Sequence, residues 1–157
     1  MNTERYFDKR KQLSDLIAAK QNDPILVVCP KCSSKALIIS EPKYRCVCTK
    51  CFFIQTEPNK KLKFGWHMDI MTDTYFGFEL WLQTRCCGHS LYAFTIKHLD
   101  LLENYIEANI RERKQDEFGW RNSSVASRLP KWIKSHKNRE QLNQLVNLEK
   151  NYNTKLL

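Results

Sequence analysis

Five of the seven cysteines in this 157-residue chain fall between positions 29 and 51, in CPKCSSKALIISEPKYRCVCTKC. Four of them form two Cys-x-x-Cys pairs, Cys29-Pro-Lys-Cys32 and Cys48-Thr-Lys-Cys51, with fifteen residues between the pairs. A two-residue gap lets a tight knuckle aim two sulfurs at one ion, and two knuckles joined by short strands close a tetrahedral thiolate site. Zinc is the expected metal, with Cys29, Cys32, Cys48 and Cys51 as its ligands. A disulfide framework is the competing use of paired cysteines. The odd cysteine count and the charged opening MNTERYFDKRKQLSD, which lacks the apolar stretch of a signal peptide, point instead to a reduced, cytoplasmic location. A thioredoxin-like redox pair needs only one such motif, in a βαβ setting.

Cys46 is the extra thiol of this stretch. It lies two residues before Cys48, so on an extended chain both side chains share a face, and a swap of Cys46 for Cys48 as ligand is the alternative assignment. The tighter Cys-x-x-Cys knuckle favours Cys48.

The two knuckles, over residues 25–56, resemble a zinc ribbon of the kind found in transcription factors, replication proteins and primosomal helicases. Ser33 and Phe52 depart from the pattern, since Ser33 stands where many ribbons place glycine after the first knuckle and Phe52 in the corresponding place after the second. The resemblance implies a scaffolding zinc ion and a role in binding nucleic acid or docking a protein partner.

Other clusters are less specific. Arg85-Cys86-Cys87-Gly88-His89 invites a second metal or redox site, with His98 or His67 as further ligands. Adjacent residues on an extended chain point to opposite faces, however, so Cys86 and Cys87 are not expected to hold one ion together; hairpin packing is the simpler use. His67, Asp69 and Asp73 are the residues on which a metal-dependent nuclease would have to be built, and no further carboxylate or lysine stands at a recognisable spacing.

Charge narrows the partner class. Residues 25–63 carry eight Lys/Arg against two Asp/Glu, residues 121–157 again eight against two, while residues 64–120 carry five against nine. The net charge of +9 is thus gathered in two basic patches, a pattern that suits a polyanion. On the ribbon the candidate phosphate contacts are Lys31, Lys35, Lys43, Arg45 and Lys50. On the tail they are Arg121, Arg128, Lys131, Lys134, Lys137 and Arg139, interleaved with Trp120 and Trp132.

The elements that position these residues read as an α+β fold. An amphipathic helix is expected from Thr3 to about Lys20, ended before Pro24. Three short antiparallel strands then form the ribbon, with EPKY as a turn. The alternation of Phe76, Phe78, Leu80 and Leu82 predicts a strand, paired as a hairpin with Leu91–Ile96. Leu99, Leu102, Ile106 and Ile110 predict a helix over 97–115, and shorter helices follow to the C-terminal end. The expected organisation is residues 1–24 as an N-terminal helix, 25–63 as the ribbon and 64–157 as a hairpin-plus-helices domain packed with it. The expected function is non-enzymatic nucleic-acid binding, with a protein-interaction adaptor as the alternative, a metal-dependent nuclease third, and no membrane association.

Overall fold

The computed structural model describes residues 5–7, 12–56, 71–108, 110–112, 124–126, 128–144 and 146–147. The architecture is α+β, in the order β1 (Arg5–Phe7), α1 (Leu13–Leu16), β2 (Ile25–Val28), β3 (Lys35–Ile39), β4 (Arg45–Cys48), β5 (Ile54–Gln55), β6 (Leu82–Cys86), β7 (His89–Ala93), α2 (Ile96–Glu107), β8 (Ile110–Glu112) and α3 (Lys131–Lys134). The chain divides into two compact units, Met1–Leu16 with His98–Leu157, and Ile17–Lys97. The four-stranded sheet and the hairpin lie in one of these units. Among the described residues no helix is long and apolar enough to cross a membrane.

The Ile17–Lys97 unit is built on an antiparallel sheet of order β2-β3-β4-β5. Its register pairs Val27 with Ala36, Ala36 with Cys48, and Ile38 with both Ile25 and Cys46. Strand alternation explains the core: Ala36 and Ile38 on β3 and Cys46 and Cys48 on β4 turn inward, while their neighbours are half-buried. Ile25 and Val27 from β2, with Phe76, Leu80 and Phe94, complete the cluster. The outer side of β2 is also bonded, since Leu26 donates its N–H to the Phe94 carbonyl and accepts from the Trp81 N–H, and Val28 donates to the Glu79 carbonyl. The hairpin β6–β7 therefore grows from the sheet that carries the knuckles.

The alternating run 76–82 does not form one strand. Leu82 opens β6, but the chain before it folds around the Asp73 carboxylate, which accepts backbone N–H bonds from Tyr75 (2.8 Å), Phe76 (2.7 Å) and Phe78 (2.6 Å). Gly77 sits at φ +76, a conformation that glycine adopts without strain. Phe76 and Phe78 are packed as a stacked pair, and Phe78 meets Phe53 edge-on beyond the second knuckle. A local carboxylate cap thus outcompeted the period-2 pattern. Nearby, Tyr44 donates to the Tyr75 hydroxyl, which donates to the Ile17 carbonyl, and the two rings stack at 4.1 Å.

In the other unit the expected N-terminal helix is one turn long, Leu13–Leu16, and residues 5–7 form a strand instead. That strand pairs in parallel with β8, Arg5 opposite Ile110 and Phe7 opposite Glu112. The same pairing shortens the predicted 97–115 helix, which ends at Glu107 with Leu99, Leu102, Tyr105 and Ile106 buried and leaves Ile110 to the strand. Strand pairing across roughly a hundred residues overrides helical periodicity that is only local. Pro130 precedes α3 as its cap residue, and residues 139–144 and 146–147 are helical, with Leu142 and Val146 fully buried.

Candidate metal centre

Two turns of the same design meet at the end of the four-stranded sheet. In the first, Ser33 donates its N–H to the Cys29 carbonyl at 2.9 Å, and Cys29 donates to the Ser34 carbonyl at 2.7 Å. In the second, Phe52 donates to the Cys48 carbonyl at 3.0 Å and Cys48 to the Phe53 carbonyl at 2.9 Å. Each turn closes through a residue in the left-handed region, Ser33 at φ 62 and Phe52 at φ 63. These are the two positions at which the resemblance led one to expect glycine, and both residues adopt the positive φ that glycine takes without strain.

The four cysteines converge. Their sulfurs all lie within 4.8 Å of one another, with Cys29 Sγ 3.6 Å from Cys51 Sγ and Cys32 Sγ 3.5 Å from Cys48 Sγ. A tetrahedral ion with metal–sulfur bonds of about 2.3 Å has sulfur–sulfur edges of about 3.8 Å, so the donor set fits such an ion once the two close pairs open slightly and the wider pairs close by at most about 1 Å. The first cysteine of each knuckle is buried and the second is half-buried. Burial anchors one sulfur of each pair in the core while the other closes the site from outside. The Lys31 N–H points to Cys29 Sγ at 3.4 Å, a contact that favours a thiolate.

Electrostatics favour occupation by a cation. The backbone N–H and hydroxyl of Ser34 lower the Cys32 pKa to about 6. At Cys51 the Phe53 backbone bond acts in the same direction, but burial and the three neighbouring thiols outweigh it and push that thiol up to about 12. Four thiolates cannot share this space without a positive charge between them, and a bound ion supplies it by displacing their protons.

Cys46 is not among the converging sulfurs. It is fully buried on β4, and burial, with Asp73, Cys29 and Cys48 nearby, pushes its pKa up to about 12. The swap with Cys48 is thereby set aside.

The other sequence candidates divide. Among the described residues no further group of three His, Cys, Asp or Glu side chains gathers as these do, so Cys86, Cys87 and His89 do not assemble a second three-ligand site, with or without His98. The two thiols are nevertheless close, with sulfurs 3.0 Å apart. The expectation that they point apart fails because Cys87 lies in a turn at φ 56 and not on an extended strand. His67 and Asp69 lie outside the described residues. Asp73 is 3% exposed and engaged in its loop; burial raises its pKa, and the N–H donors of Phe76, Phe78, Tyr75 and Gly77 offset part of that rise.

Of the basic candidates between residues 25 and 63, Lys31, Lys43 and Lys50 are exposed, while Lys35 and Arg45 are half-buried. Burial lowers the Lys35 pKa, and the Arg45 guanidinium donates to the Glu41 carbonyl. On the tail, Arg128, Lys131 and Lys137 are exposed and Lys134 and Arg139 half-buried, while Arg121 lies outside the described residues. The feature missed in the sequence is a pair of exposed apolar side chains, Phe52 at 82% and Ile54 at 61%, just beyond the second knuckle. Its only sequence signal is FFI, whose central residue alone turns inward. No protein-family model, no curated protein and no solved structure matches the chain.

Proposed function

We propose that Cys29, Cys32, Cys48 and Cys51 hold a structural zinc ion, and that the knuckle surface of the ribbon binds nucleic acid without catalysing a reaction. Soft thiolates in a tetrahedral set suit zinc among the common divalent ions, and four protein ligands leave no position open for a substrate or an activated water. Zinc is then a scaffold. It fixes two turns whose outward side chains make the contacts.

The observation that carries the reading is the placement of Lys31 and Lys50. Each is the third residue of a knuckle, each is exposed, and Phe52, the most exposed large apolar side chain among the described residues, follows two positions after Lys50. Cations beside an aromatic ring neutralise phosphates and offer a face on which an unpaired base can stack. Lys43 adds a third exposed cation to the same unit. The exposed Ile54, on β5 at the edge of the sheet, favours a second reading, in which a partner protein adds to that edge.

Binding of a fluorescent single-stranded oligonucleotide to the metal-loaded protein, measured across a salt series, tests the proposal. Affinity is expected to fall steeply with salt. The Lys31→Ala/Lys50→Ala double variant, with zinc retained, is expected to flatten the log–log slope by roughly 1.4, at about 0.7 for each lost single-strand phosphate contact. Absence of binding at low salt contradicts the nucleic-acid reading, and copurification of a protein partner lost on Ile54→Asp would replace it with the adaptor.

A further inference from the structure

Strands β6 and β7 pair in register from Leu82 opposite Ala93 to Cys86 opposite His89, leaving Cys87 and Gly88 as a two-residue turn. Both turn residues have positive φ, 56 and 78, the geometry of a type I′ hairpin. The first position of such a turn ordinarily takes asparagine, aspartate or glycine, and the Cβ of a cysteine there works against the backbone conformation. The consequence of that placement is chemical: the turn folds the Cys87 sulfur back to 3.0 Å from the sulfur of Cys86, closer than the 3.5 and 3.6 Å pairs of the metal centre.

We propose that Cys86 and Cys87 form a thiol–disulfide exchange site whose substrate is a small-molecule disulfide and whose product is a Cys86–Cys87 disulfide. The two sulfurs differ in access. Cys86 is 2% exposed, whereas Cys87 is half-buried and stands beside the exposed Arg85, Gly88 and His89. Cys87 is therefore the sulfur that meets the substrate. Its thiolate attacks one sulfur of RS–SR, the old S–S bond breaks, and RS⁻ leaves and takes a proton. Cys86 then gives up its proton and attacks the Cys87 sulfur of the mixed disulfide, expelling the second RS⁻, which is protonated in turn. Two electrons pass from the protein dithiol to the substrate, which departs as two RSH.

The geometry also makes the step reversible. Adjacent Cα atoms are about 3.8 Å apart across a trans peptide, short of the roughly 4.4–6.8 Å of an unstrained disulfide, so the closed ring is readily reopened by thiols. The knuckle sulfurs do not compete while they are committed to a metal ion.

The test uses the full-length, metal-loaded protein challenged with glutathione disulfide, quenched in acid, alkylated and digested with trypsin. Cleavage after Arg85 and Lys97 isolates one peptide that contains Cys86 and Cys87 and no other cysteine. That peptide is expected to be unalkylated and two hydrogens lighter, and to be restored by dithiothreitol. Cys86→Ser is expected to trap a glutathione adduct on Cys87, and Cys87→Ser, a change in the turn itself, to abolish both adduct and ring. Full alkylation of both sulfurs after the challenge, oxidation of the knuckle cysteines first, or equal adduct in the two variants would overturn the proposal.

Discussion

Ser33 and Phe52 occupy the same left-handed backbone position on the two knuckles, at φ 62 and 63, each donating its N–H to the carbonyl of the first cysteine of its knuckle. The four-cysteine cluster is therefore built from the same local turn used twice, once with a small exposed side chain at that position and once with a large exposed one. A non-glycine residue there costs about 1–2 kcal/mol, while glycine gives back roughly 0.5–1 kcal/mol through its greater freedom in the unfolded chain. Ser33→Gly is thus expected to leave the stability of the metal-loaded protein unchanged or raise it by up to about 1 kcal/mol. Ser33→Val, which forces a β-branched residue into that region, is expected to lower it by about 1–2 kcal/mol. Denaturant unfolding measures both, and equal tolerance of valine and glycine would show that the turn is not held as described.

Asp73 is the second point at which the fold can be interrogated. Its buried carboxylate closes three backbone N–H groups within hydrogen-bond distance, and removal leaves those donors without their acceptor. Asp73→Ala is expected to cost about 3 kcal/mol or more, and Asp73→Asn, which keeps one carbonyl oxygen, less than that. A stability change under about 1 kcal/mol in the alanine variant, read from denaturant midpoints, contradicts a structural role.

His98 supplies a pH dependence. It is buried on α2, and that burial lowers its pKa to about 4, below the ordinary 6.5. Between those values the unfolded chain binds a proton that the folded chain does not, so stability falls as pH drops from 6.5 toward 4 and is unaffected by this group above 6.5. Each tenfold difference in proton affinity between the folded and unfolded chains is worth about 1.4 kcal/mol, so the loss approaches roughly 3 kcal/mol at the acid end. His98→Leu is expected to flatten the stability profile over that window, whatever it does to stability at neutral pH; an unchanged acid slope would show that His98 titrates normally in the folded protein.

The four-cysteine cluster was legible in the sequence because it depends on short-range chemistry. Two residues between Cys29 and Cys32, and between Cys48 and Cys51, are enough to specify a knuckle whatever surrounds it, and the same spacing separates Cys48, which joins the site, from Cys46 on the same strand face, which does not. What failed were inferences that a local period continues. Ile110 extends the α2 apolar pattern, yet belongs to a strand because Arg5–Phe7 lies beside it. Phe76 and Phe78 keep strand alternation, but Asp73 gathers their N–H groups into a loop. Cys86 and Cys87 look divergent on an extended chain and are adjacent in space only because the turn at Cys87 reverses the backbone, a φ value that residue type does not announce. Exposure of Phe52 was equally hidden, since a phenylalanine followed by Phe53 and Ile54 reads as the start of a core strand.

The metal content of the reduced, purified chain, set beside that of two single variants, tests whether the four sulfurs hold zinc. One zinc ion per chain is expected in the wild type, loss of the ion together with proteolytic protection of residues 25–56 in Cys48→Ser, and retention of both in Cys46→Ser. A folded wild-type chain without metal, or equal loss of zinc from the two variants, would contradict that assignment.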